Sequence, residues 1–218
     1  MLDSLQYQII GWISLVVGGA AFAYNATQSV RSPNKFERLN HLSTSVALLY
    51  PVGMGFKLLQ VGPEFARFHL TDIGFPVMLG MGLAFIVTYV ALRNPSLGKY
   101  DRYRVNHRFR MPALLVALLL SYGYEAMVGY VYRSNPGISV SMVGNFDWAD
   151  MAMYTLGAAI AFWSYRRYGI EMEAYIAEDQ RQAHEASEAR RADKRARKAA
   201  GRRKRRTYTA TNRRGGRR

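Results

Sequence analysis

Five apolar stretches, residues 9–24, 42–62, 73–92, 111–132 and 148–165, alternate with short polar segments through the first three quarters of the chain. A bilayer core about 30 Å thick takes roughly 20 mostly apolar residues at 1.5 Å rise each. The stretches come near that length; the first, the shortest, completes its span with residues 5–8 or 25–27. A soluble helix this long normally keeps a polar face, and these mostly do not. The pattern therefore predicts an all-α membrane protein, a five-transmembrane-helix bundle occupying residues 1–168.

The connecting segments predict its orientation. Short loops rich in Lys and Arg stay in the cytoplasm. Residues 1–8 carry neither, and 25–41 carry Arg31, Lys35 and Arg38. Residues 63–72 have Arg67 against Glu64 and Asp72. Residues 93–110 have Arg93, Lys99, Arg102, Arg104, Arg108 and Arg110 against Asp101. Residues 133–147 have Arg133 alone, and the fifth stretch runs into Arg166 and Arg167. Poor and rich segments alternate without exception, so the N-terminus is expected outside and the C-terminus in the cytoplasm, with a cell (inner) membrane location. Ala21-Phe22-Ala23 resembles a signal-cleavage site, but the residues before it lack any base and include Asp3, so a retained anchor is expected. Asn94-Pro95 is expected to end the third helix, Thr71 or Asp72 to cap its start, and Pro112 to lie in the first turn of the fourth. Trp148, Trp163, Tyr165 and Tyr168 fall near the ends of the fifth span, where amphipathic rings prefer to sit. The sequon Asn25-Ala26-Thr27 falls on the expected cytoplasmic side, where no glycan is attached.

Composition sharpens the picture at one point. Residues 190–218 hold fifteen of the thirty Lys and Arg against one acid, Asp193, and so carry +14 of the net +15. Residues 169–200 are rich in helix formers, with Glu171, Glu173, Glu178, Asp179, Glu185 and Glu188 ahead of the bases, as a helix dipole favours. They predict a charged cytoplasmic helix. Residues 201–218, with Arg202, Arg203, Lys204, Arg205, Arg206, Arg213, Arg214, Arg217 and Arg218, predict a disordered polybasic tail. Such a tail binds anionic membrane lipid, at about 1 kcal/mol per basic residue near the surface. It also suits phosphates of nucleic acid or of the ribosome.

Within the spans, Lys57 and Glu125 fall at matching depth, about 21–23 Å from the expected cytoplasmic starts of their helices. Equal depth and opposite charge predict a pair, with Asp150, His69 and Asp72 within reach. Pro51 and Gly53-x-Gly55 interrupt the second stretch, either as a broken helix beside a charge or as an ordinary kink. Small residues four apart, Ser14 and Gly18, Gly80 and Ala84, Gly157 and Ala161, predict close packing within the bundle, with homo-oligomerisation as the other use of such faces.

The chain has no Cys, which removes disulfides, thiolate metal sites and cysteine nucleophiles. His41, His69, His107 and His184 show no metal-pair spacing, and no phosphate-binding glycine loop or nucleophile elbow occurs. The expectation is a non-enzymatic membrane anchor or scaffold, without cofactor or metal, whose polybasic tail engages anionic lipid or nucleic acid. The alternative is a small transporter, channel or holin-like pore using Lys57, Glu125 and Asp150.

Overall fold

The polar flanks of the apolar stretches are themselves good helix formers, so each helix outgrows its hydrophobic run. The computed structural model describes residues 4–93, 97–134 and 147–215. All regular elements among them are helical: α1 (Ser4–Arg31), α2 (Lys35–Leu59), α3 (Glu64–Leu92), α4 (Lys99–Ser134) and α5 (Trp148–Gly215).

The boundaries correct several expectations. Helix α2 stops at Leu59 rather than at residue 62. Gln60 adopts the left-handed conformation (φ 54°) and its N–H returns to the Phe56 carbonyl, while Gly62 takes φ 82°, a value glycine adopts without strain. Helix α3 starts at Glu64, directly after Pro63, whose carbonyl accepts from the Arg67 N–H (3.1 Å). Thr71 and Asp72 therefore lie inside α3 and cap nothing. Helix α4 starts at Lys99, where the Asp101 carboxylate accepts from the Gly98 N–H (3.2 Å), and Pro112 lies well inside. Asn94-Pro95 lies outside the described residues, as do residues 135–146 of the fourth connection. Pro51 does not break α2, which continues through it.

Four of these helices are long and apolar enough to cross a membrane: Leu5–Arg31, Lys35–Leu59, Glu64–Tyr89 and Tyr100–Val131. This points to a multi-pass membrane location. Large apolar side chains on their outer faces agree, among them Ile13, Val17, Phe85, Ile86 and Leu119, each more than half exposed. Helix α5 is not among the four, because Asp150, Ser164 and its Trp and Tyr residues dilute its apolar run.

The chain divides into two units, residues 1–172 and 173–218. In the first, α1 packs on α2, α2 on α3 and α3 on α4. The opening third of α5 contributes Ala158, Ala161 and Tyr165 to a core shared with Val46 and Ala47 of α2, Ile73 and Val77 of α3, and Leu114 of α4. Glycines set the helix separations. A Cβ at Gly53 would stand 2.5 Å from the Thr71 nitrogen on α3, one at Gly55 2.7 Å from Leu15 on α1, and one at Gly80 2.9 Å from the Leu114 Cα on α4. Gly53 and Gly55, expected as a helix interruption, thus serve as points of backbone approach.

The second unit is the remainder of α5. Every residue from Gln180 to Ala199 is exposed, and the unit carries ion pairs along its own surface, Arg181–Glu178 (3.0 Å) and Arg197–Asp193 (2.9 Å). Hydrogen bonds from Gln182 and Arg181 hold Glu178 below the usual carboxylate range. The helix continues past Gly201 to Gly215; one glycine costs about 1 kcal/mol relative to alanine, and the Arg, Lys and Ala around it favour helix.

Candidate functional site

Polar chemistry gathers at two opposite ends of the first unit, separated by about 22 Å along α4 at 1.5 Å per residue between Arg110 and Glu125. The acidic end is built by α3, α4 and α5. His69 and Asp72 are one turn apart on α3 and so share a face. Asp150 stands in the first turn of α5, where the positive end of the helix dipole favours a carboxylate. The donor atoms of His69, Asp72 and Asp150 all lie within 4.8 Å of one another. The His69 Nδ1 is 3.8 Å from Asp150 Oδ1.

Glu125 of α4 lies near this group and is only 5% exposed. Its Oε1 accepts a hydrogen bond from the Tyr154 hydroxyl (2.9 Å), while its Oε2 is buried with no partner. Glu125 and Asp72, and Glu125 and Asp150, lie close enough to feel each other's charge. An adjacent bond between the Tyr122 hydroxyl and Thr155 also joins α4 to α5.

The structure brings two of the three expected intramembrane residues, Glu125 and Asp150, into this cluster. Lys57 is exposed in the last turn of α2 and forms no ion pair within 4.0 Å among the described residues. It acts on Asp72, Asp150 and Glu125 through its field alone. Tyr154 went unnoticed in the sequence, although it follows Asp150 at helical i,i+4 spacing. His69 and Asp72 were assigned to a loop, which hid their i,i+3 relation.

The basic end is held by Arg110. Its Nη1 donates to Asn40 Oδ1 (2.7 Å) and its Nε to Asn106 Oδ1 (3.1 Å). The guanidinium also lies over the rings of Tyr165 (5.5 Å) and Tyr168 (4.9 Å). One side chain thereby ties α2, α4 and α5 together. His41 Nδ1 pairs with Asn25 Oδ1 (2.8 Å) and ties α1 to α2, so the sequon asparagine is occupied internally. His107 stacks near Tyr168 (5.6 Å).

Beside this knot an open groove of about 270 Å³ is lined by Lys35, Arg38 and Leu39 of α2 and Trp163, Arg167 and Glu171 of α5. A second hollow adjoins it through Trp163 and Arg167 and adds Arg166 and Ile170. Three cations against one carboxylate, with an indole face that is half exposed, form a surface suited to a phosphate carrying an apolar tail.

Of the polybasic residues, Arg202, Arg203, Lys204, Arg205, Arg206, Arg213 and Arg214 have their backbone in α5, and Arg217 and Arg218 lie outside the described residues. No family model, curated protein or solved structure matches this chain.

Proposed function

We propose that this chain is a non-enzymatic five-span membrane protein, N-terminus outside and C-terminus cytoplasmic, whose basic face and arm engage anionic lipid of the inner leaflet. The observation that carries it is the segregation of charge. Lys35, Arg38, Arg110, Arg166 and Arg167 cluster at one end of the bundle, and +14 of the net charge follows in residues 190–218. Cations that resist crossing a bilayer stay on the cytoplasmic side.

A fifth span is supported by α5 itself. It packs beside Glu125 at Tyr154 and beside Arg110 at Tyr165 and Tyr168, and so runs the length of the bundle although its apolar run is weak. Burial of Ala161, Ser164 and Tyr165 against neighbouring helices explains why it tolerates polar residues.

The test is protease protection of the full chain in nanodiscs. With phosphatidylglycerol, trypsin should cut residues 190–218 slowly, and rapidly with phosphatidylcholine; salt should abolish the difference, because exposed charges are screened within about 8 Å at physiological ionic strength. Equal cutting in both lipids overturns the reading. Protection by polyribonucleotide in phosphatidylcholine discs would assign the arm to nucleic acid instead.

A second reading, a pathway for a small cation, is favoured by the acidic end, since ionisable groups inside spans are costly and generally functional. Its test is flux in proteoliposomes, which Glu125→Gln should abolish while leaving protease protection of the arm unchanged.

A further inference from the structure

We propose that His69, Asp72 and Asp150 bind one divalent transition-metal ion, with Glu125 facing it from inside the bundle. This deepens the cation reading of the acidic end, although binding is measurable without flux.

The geometry comes first. Three donor atoms no more than 4.8 Å apart leave a point within about 2.8 Å of all three. Small side-chain rotations close the remainder to bonds of about 2.0–2.2 Å. Two of the donors sit one turn apart on the rigid face of α3, and the third is fixed at the start of α5. The His69 and Asp150 side chains are 26% and 21% exposed, which leaves an approach from one side.

Charge comes second. Asp72, Asp150 and Glu125 are three carboxylates acting on one another, Asp147 acts on two of them, and Lys57 is a cation whose field reaches all three. Carboxylates outnumber cations here, so a bound divalent ion would offset the repulsion among them. Unbalanced charge away from water is strongly unfavourable.

The third observation is independent of the triad. Glu125 is more than nine-tenths buried, its Oε2 has no hydrogen-bond partner, and its Oε1 is held by the Tyr154 hydroxyl. The buried Nδ1 of His69 likewise has no hydrogen-bond partner. A buried polar atom normally has one. One imidazole nitrogen with carboxylate oxygens is a donor set for Zn²⁺ or Mn²⁺, whereas Ca²⁺ prefers an all-oxygen shell.

The experiment uses the full chain in detergent after chelator treatment. Mn²⁺ is titrated and followed by electron paramagnetic resonance, with Zn²⁺ as competitor. One Mn²⁺ per chain should bind and Zn²⁺ should displace it. His69→Gln and Asp150→Asn should each weaken binding about tenfold or more, and Glu125→Gln should weaken it within the range of about 10–100-fold seen for groups that support ligands. His184→Gln, on the arm, should change nothing. Pulsed spectra of the native chain should carry the coupling of one imidazole nitrogen, a readout that needs no variant to fold. Absence of that coupling, or several weak sites indifferent to His69→Gln, overturns the proposal. Stoichiometric binding without flux leaves the metal site standing and removes the transport reading; flux without stoichiometric binding does the reverse.

Discussion

Replacing a helical glycine by alanine should move stability in opposite directions at Gly157 and Gly82. Both lie inside helices, α5 and α3, where alanine is favoured over glycine by about 1 kcal/mol. At Gly82 a Cβ meets nothing within 4 Å, so Gly82→Ala keeps that whole gain. At Gly157 the same Cβ would collide with the carbonyl oxygen of Ile73 and approach its Cα at 3.2 Å. Those atoms are α3 backbone, which no rotamer change can move aside. Ala158 and Ala161, 5% and 0% exposed, are buried close by on α5 and leave no slack. Overpacking costs about 1–3 kcal/mol, and a backbone obstacle belongs at the top of that range. After the propensity gain, Gly157→Ala should lose about 2 kcal/mol, which puts about 3 kcal/mol, or roughly a hundredfold in the unfolding equilibrium, between the two variants. Denaturant unfolding in micelles, followed by fluorescence of Trp12, Trp148 and Trp163, measures it. If Gly157→Ala matches or exceeds the wild type, or both variants shift the same way, the close α3–α5 approach is wrong.

Other perturbations separate the parts of the bundle. Tyr154→Phe strips Glu125 of its one hydrogen bond and should cost about 1.5–3 kcal/mol in the same unfolding assay, and much less in a Glu125→Gln background; equal losses in both backgrounds would disprove the coupling. Arg110→Lys should cost about 1–3 kcal/mol, since an ammonium cannot both bond Asn40 and Asn106 and lie flat over two tyrosine rings, whereas the exposed Arg108→Lys should stay within about 0.5 kcal/mol. Because the chain has no Cys, single cysteines report sidedness directly. With an impermeant maleimide on intact cells, Asp147→Cys should label and Lys99→Cys should label only after lysis; the opposite pattern refutes the orientation.

The existence and order of the helices were legible in the sequence because hydrophobic runs of membrane length have few other readings. Their ends were not. A hydropathy run stops where side chains turn polar, but a helix stops where its backbone hydrogen bonds do. That is why residues 64–72 and 99–110, drawn as loops, are the opening turns of α3 and α4. The same error concealed the acidic site. Once residues 64–72 are helical, His69 and Asp72 share a face. Depth along the spans pairs Lys57 with Glu125, yet depth says nothing of azimuth. Lys57 ends exposed in the last turn of α2, whereas Glu125 is buried and bonded to Tyr154 of α5.

Lys57 then has a physical account without an ion pair. It occupies the last turn of α2, where unsatisfied carbonyls give the helix end a partial negative charge that a cation stabilises. Its own carbonyl accepts from the Gln60 side chain (2.7 Å), which helps seal that end. At the start of α5 the complementary rule places Asp150, and the same residue serves the cluster with His69 and Asp72. Lys57 and Asp150 are thus each explained by the helix end they occupy, whereas Glu125, the partner expected for Lys57, lies inside α4 and takes its hydrogen bond from Tyr154. Bases are few at this end, with Lys57 and Arg67 the nearest in sequence to the cluster, while Arg38, Arg110 and Arg167 gather at the other, so the carboxylates of His69's neighbours Asp72 and Asp150 have no arginine in an ion pair with them among the described residues.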